Sequence, residues 1–243
     1  MTAEPRKRKL LMLMRRELWM RDEGLTALLG ALLLMIFIVT PLAAGGFFRG
    51  YGSVVLDLWL AFTLSSGVFA IGWRRMTARV IVLVAVLLFA LRGLGYAGGQ
   101  GAIGLTVDAA LKIFLLSTLV VMVVWQILRE GPITRQRVQG SITIYLLLGL
   151  IWAEAYILAA LLDSNSFTGN LPTERNAVLA HFTYYSFVTL TTVGYGDISP
   201  ASLVTRPLAN AEGLIGQLFP AILIARLVSM EIAARQTNDA KNK

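Results

Sequence analysis

Gly24 to Phe48 contains no charged residue at all. A helix needs about 20 mostly apolar residues to cross roughly 30 Å of hydrocarbon, so this run alone directs the chain toward a bilayer. It has company. Gly50 to Trp73 holds only Asp57, and a window that runs clean from Arg79 to Leu91 gains length by taking in Arg92 and part of the glycine-rich stretch Gly93 to Gly104. Asp108 to Leu128 encloses Lys112, Val138 to Leu162 encloses Glu154, and Pro207 to Met230 carries Glu212 and Arg226. Backbone polar groups have no water partners in lipid, so each window must satisfy them internally as a helix. The expected fold class is an all-α integral membrane protein with six transmembrane helices.

Composition narrows the function. Only 15% of residues are charged, against roughly 25% in soluble domains. The net charge of +8 would suggest nucleic acid in a soluble chain, but here the bases flank apolar windows and read as topology signals, so lipid rather than nucleic acid is the expected partner. There is no cysteine and a single histidine, His181. Disulfides, thiolate metal sites and multi-histidine centres are therefore excluded, and the sequence argues against an enzyme.

The bases also orient the chain. Arg6, Lys7, Arg8, Lys9, Arg15, Arg16 and Arg21 precede the first window; Arg74, Arg75 and Arg79 follow the second; Arg129, Arg135 and Arg137 follow the fourth; Arg235, Lys241 and Lys243 follow the sixth. The opposite side holds Arg49, Arg92, Arg175 and Arg206. Such an asymmetry places both termini in the cytoplasm of a multi-pass protein of the cell (inner or plasma) membrane. The N-terminal stretch 1–23 reads as a basic cytoplasmic segment.

Between the last two windows lies Ala177 to Leu190, apolar and aromatic but too short to cross and return, so it reads as a re-entrant helix on the outer face, capped by Asn176. Directly after it come Thr191, Thr192, Val193, Gly194, Tyr195, Gly196 and Asp197. A stack of backbone carbonyls can replace the water shell of a potassium ion without a net charge to trap it. All the carbonyls face one way only if alternate residues adopt dihedrals that L-residues avoid, which Gly194 and Gly196 permit.

Thr192 to Gly196 reads TVGYG, and the stretch from Val138 to Ala234 resembles the pore half of the potassium channel family. The resemblance implies a selectivity filter in which Thr192, Val193, Gly194 and Tyr195 hold K+, with Gly196 completing it and Thr191 and Asp197 in support. It implies a homotetrameric pore, because each chain supplies a single filter strand. The best-known bacterial member braces the filter with two pore-helix tryptophans; Tyr184 and Tyr185 stand at those positions, with hydroxyls expected to reach Tyr195 and Asp197. Val188 stands where a glutamate lies in the best-known bacterial member, which removes a carboxyl pair with Asp197. Gly216 falls at the gating-hinge glycine, with Pro220 a turn beyond and Gln217 and Ile224 expected around the cavity.

Four units follow: the segment 1–23, a four-helix voltage-sensor-like domain 24–137, the pore domain 138–234 and a short cytoplasmic tail 235–243. The fourth window carries Lys112 where a voltage sensor repeats arginines, so Lys112, Arg92 and Asp57 are expected to pair in a structural network, and Glu154 to face the pore helix. The tail is too short for a nucleotide- or calcium-binding domain, which leaves gating to an unidentified lipid, protein or other stimulus. The expected function is passive, selective K+ conduction, not strongly voltage-gated, with K+ as permeant ion and no organic cofactor. A subunit of a secondary potassium transporter and a non-conducting receptor or scaffold are the alternatives.

Overall fold

A computed structural model describes residues 24–48, 55–56, 58–63, 101–127, 135–169, 171–172 and 175–241. The basic segment 1–23, most of the second window with its Asp57, and the third window with Arg92 lie outside the described residues. Among the described residues four helices are long and apolar enough to cross a membrane: Gly24–Ala44, Ile103–Trp125, Arg137–Leu162 and Thr205–Arg226. They make this an all-α membrane protein by length and composition.

The first, α1 (Gly24–Ala44), widens into a π turn at Met35–Val39. Pro41 has no N–H to donate one turn back, and both the amide and the hydroxyl of Thr40 converge on the Met35 carbonyl, the hydroxyl at 2.7 Å. Residues 58–63 are helical and dock on α1 through Trp59, whose Nε1 donates to the Ala31 carbonyl at 2.8 Å. The next two helices, α2 (Ala102–Ile127) and α3 (Arg135–Leu162), pack along their length. With α1 they enclose one core of Leu25, Leu28, Leu32, Leu115, Leu119, Val123 and Leu147, all but excluded from solvent. The helix α2 starts a turn and a half before the expected Asp108, since residues from Ala102 onward keep the apolar helical pattern after the glycines.

The short helix α4 (Arg175–Leu190) leans on α3. It already includes Asn176, so Asn176 lies inside the helix rather than at its cap. Strand β1 (Phe167–Gly169) precedes α4, and β2 (Ile198–Pro200) follows the TVGYG segment. They pair antiparallel with Phe167 opposite Pro200 and Gly169 opposite Ile198. The pairing ties the loop before α4 to the loop after the TVGYG segment. Ser166 reinforces it, its carbonyl accepting the Ala201 amide at 2.8 Å and the Thr205 hydroxyl at 2.7 Å. A second core of Ala153, Tyr156, Phe167, Phe182, Tyr185 and Ile198 fills the space beneath.

The last helix, α5 (Thr205–Lys241), begins before the expected Pro207 because Ser202 Oγ accepts the amides of Val204 and Thr205 at 3.3 and 3.1 Å. It runs on past Met230, since the polar residues that follow are good helix formers. Its apolar window is 11% buried, against 39–44% in the other three. Leu214, Leu218, Ile222 and Ile224 all stand exposed on it.

Candidate functional site: the TVGYG ribbon and its supports

The site begins where α4 ends. Thr191 N–H donates to Phe187 O at 3.0 Å and Thr192 N–H to Thr189 O at 2.9 Å. The amides of Val193 and Gly194 then both turn back to Val188 O, at 2.9 and 3.3 Å. From there the chain leaves as a ribbon in which every second residue has a positive φ: Thr192 at 59°, Gly194 at 60° and Gly196 at 79°. Alternation of this kind turns successive carbonyls toward one side, as an ion ladder of backbone oxygens requires. The two glycines adopt these angles at no steric cost. Thr192 does not. It is the non-glycine residue with a positive φ among the described residues, and a β-branched residue there is strained by about 1–3 kcal/mol.

Thr192 is held in that conformation by α5. Gln217 Nε2 donates to Thr192 Oγ1 at 2.8 Å, which fixes the hydroxyl at the inner end of the ribbon. Thr191 Oγ1 instead donates to Phe187 O at 2.6 Å and finishes the helix. All seven residues from Thr191 to Asp197 are exposed in the single chain, with Val193 at 53% and Tyr195 at 70%.

The two tyrosines take different roles. Tyr184 stacks on Tyr195, rings 3° from parallel and centroids 6.3 Å apart, and its phenol hydrogen-bonds the Asp197 carboxylate. Partial desolvation, then the bond to and the charge of Asp197, push the phenol above its ordinary pKa, so it remains a donor. Tyr185 does not reach the ribbon as expected from the sequence. Consecutive helical residues point about 100° apart, and Tyr185 is buried edge-on against Tyr156 and Phe167, with burial raising its phenol and a Thr189 hydrogen bond opposing that shift.

Gly216, expected at a hinge, lies at the contact between α5 and α4. It is buried against the end of α4, where an added Cβ would stand 1.8 Å from Leu190 O. Helical spacing then turns Gln217 toward Thr192, so Gly216 and Gln217 do not share a face. Pro220 is half-buried and Ile224 exposed. Val188 contributes its carbonyl to the ribbon's start; the carboxyl behind α4 comes from Glu212, which is fully buried and bonded to Ser186 and Tyr156. The sequence signal for it was an acidic residue inside an apolar window.

Further out, Lys112 pairs with Asp108 at 3.2 Å along α2 and with Glu154 at 3.1 Å across to α3. Glu154 thus faces Lys112 of α2 rather than α4, while the Asp57 and Arg92 expected to join this network lie outside the described residues. The Lys112 ammonium thus has two carboxylates beside it in an otherwise apolar layer, where an unpaired charge is costly.

Residues 142–232 match a family model described as "Ion channel". The match runs from α3 through α4 and the ribbon into α5, and supports an ion channel built into a multi-pass membrane protein. Protein LctB of Bacillus caldotenax is 42% identical over 55 residues, 23% of this chain and 40% of that protein. Protein LctB of Geobacillus stearothermophilus is 41% identical over 54 residues, 22% of this chain and 40% of that one. The chain thus matches about two fifths of the length of these curated relatives. No solved structure matches it.

Proposed function

We propose that this chain is one subunit of a potassium-selective channel in which four copies surround the TVGYG ribbon and conduct K+ passively across the cell membrane, both termini being cytoplasmic. The observation that carries the reading is the alternation of positive φ at Thr192, Gly194 and Gly196 on a sequence of the potassium channel type. A dehydrating K+ exchanges water for the carbonyls of Thr192, Val193, Gly194 and Tyr195, with the Thr192 hydroxyl as innermost ligand. The C-terminal end of α4, carrying partial negative charge, points to the side from which the cation arrives. Tyr184 and Asp197 brace the outer end. The exposed ribbon and the uncovered α5 supply the surfaces that copies of the chain bury on assembly, lipid covering the rest. In this reading the units 24–137 and 138–234 are a peripheral helical domain and a pore domain; the chain has no enzymatic role and no nucleic-acid partner, and the gating stimulus, lipid or protein, acts through the membrane-embedded helices or the basic N-terminal segment.

Protein reconstituted into liposomes should let K+, but not Na+, run down its gradient. Flux of both ions alike, or none, would sink the reading and favour a transporter subunit or a scaffold.

Conduction in this reading is nearly independent of voltage. Moving one charge through 100 mV is worth about 2.3 kcal/mol, and steep gating uses three or four charges per subunit. Lys112 is one charge, anchored between two carboxylates. Lys112→Gln should leave open probability against voltage unchanged in planar bilayers. A steep activation curve that flattens in Lys112→Gln would show that these helices sense voltage.

A further inference from the structure

Glu212, Ser186 and Tyr156 form a closed set of hydrogen bonds between three helices, and their hydrogens can be counted. Glu212 Oε2 lies 2.5 Å from the Tyr156 hydroxyl, and Glu212 Oε1 lies 2.6 Å from Ser186 Oγ. Ser186 Oγ is also 2.7 Å from the Gly149 carbonyl of α3. Three short oxygen–oxygen contacts need three hydrogens. Tyr156 and Ser186 bring one each, and a carbonyl brings none. With Glu212 ionised, Ser186 can satisfy either Gly149 or Glu212 but not both, which leaves two acceptor oxygens in contact in a dry site.

We propose that Glu212 is a neutral carboxylic acid that donates to Ser186, and that this proton positions the pore helix and, through it, the filter. Ser186 then passes its own hydrogen to Gly149 O, and Tyr156 donates to Glu212 Oε2, so every contact has a proton and none is left over.

The surroundings fit the neutral form. Glu212 and Ser186 are fully buried. The titratable groups that face Glu212 are Tyr156 and Tyr145 of α3 and Tyr185 of α4, all neutral as phenols, and no cation among the described residues pairs with it. The cluster of Lys112, Asp108 and Glu154 lies on another side of α3, Glu154 being two residues and so more than half a turn from Tyr156. Gly149 admits the close approach: an added Cβ would stand 2.6 Å from the Phe187 ring, so this ring occupies the space a side chain would fill and α4 lies tight against α3.

The bond is one rung of a seam. Glu212 meets Ser186, and four residues on along both helices Gly216 meets Leu190; next along α5, Gln217 holds Thr192. Loss of the Glu212 proton leaves Ser186 one hydrogen for two acceptors, so its bond to α5 or its bond to α3 is given up, and a negative charge stands inside the seam. The pore helix then loses its register on one of the two helices, and the innermost filter ligand moves with it. Alkaline pH should therefore close or slow a channel whose other parts are intact. This last step rests on the channel reading above; the proton count does not.

The test uses the full chain in liposomes. Infrared spectra of wild type minus Glu212→Gln should contain a protonated-carboxyl C=O band at neutral pH, shifted in frequency by Ser186→Ala and lost on raising the pH. Potassium efflux from wild type should fall several-fold over the same pH rise, while Glu212→Gln, whose amide reproduces the donor and acceptor of the neutral acid, should conduct like wild type at neutral pH and show no fall. Absence of the band overturns the proposal. So does a band accompanied by efflux that follows the same pH profile in wild type and Glu212→Gln. If wild type passes no potassium at any pH, the channel reading fails, and the infrared band decides the proton count by itself.

Discussion

Gly216→Ala is expected to prevent stable assembly of the protein. The new Cβ would stand 1.8 Å from Leu190 O and 2.7 Å from Leu190 C, both backbone atoms at the end of α4. No rotamer change relieves such an overlap; either α5 or the end of α4 must move. The same Leu190 carbonyl accepts the Tyr145 hydroxyl at 3.2 Å, and Tyr145 stacks on Phe219, so moving it disturbs α3 and α5 together. Overpacking a tight core typically costs about 1–3 kcal/mol per site, and a backbone collision has fewer routes of escape than a side-chain one. Detergent-solubilised Gly216→Ala should therefore lose its oligomer peak on size exclusion and melt well below wild type. Gly213→Ala is the matched control: its Cβ meets only Thr189 O at 4.0 Å, an ordinary contact, and it should assemble normally. A hinge glycine would give the opposite pattern, with assembly intact and gating altered, so equal stability of the two variants would remove the seam and restore the hinge.

How much of this was legible in the sequence depends on the range of the interaction. The membrane helices follow from long apolar windows with few charges, a signal carried by each segment alone, and α1, α2, α3 and α5 stand where those windows lie. Helix ends were shifted by local features that a window does not see, such as Ser202 receiving the first amides of α5. The short helix α4 and the ribbon after it were legible because glycine spacing and a short apolar segment are also local. Lys112 with Asp108 is an i, i+4 pair that spacing alone supports, but its second partner, Glu154, lies across a helix contact that no spacing encodes. Glu212 could be noticed as an acid in an apolar window, yet its partners are 26 and 56 residues away, and only packing brings them together. Thr192 was the least readable: a β-branched residue is the last to be assigned a positive φ from sequence, and it takes one because Val188 and Gln217 hold the ribbon on either side of it.

Gly194→Ala should abolish discrimination between potassium and sodium while leaving the protein folded. Within one chain a Cβ at Gly194 meets nothing within 4 Å, so no collision unfolds the subunit, in contrast to Gly216. The penalty lies in the dihedral. Gly194 has a φ of +60°, and an L-residue in the left-handed region costs roughly 1–2 kcal/mol. In the proposed channel, where four copies surround one filter, the penalty falls four times on it, about 4–8 kcal/mol in all. The ribbon has almost no packing of its own to oppose this, since Thr191 to Asp197 are exposed in each chain. Relaxing φ toward negative values turns a peptide plane and takes one ring of carbonyls away from the ion. A site missing one ring no longer compensates dehydration of potassium better than that of sodium. Reversal potentials under bi-ionic conditions should therefore move to near zero in Gly194→Ala, with K+ over Na+ preference reduced about tenfold or more, each 1.4 kcal/mol counting for a factor of ten. The melting profile and oligomer peak should match wild type. A variant that keeps its potassium preference would mean that the ribbon from Thr192 to Gly196 does not choose the ion.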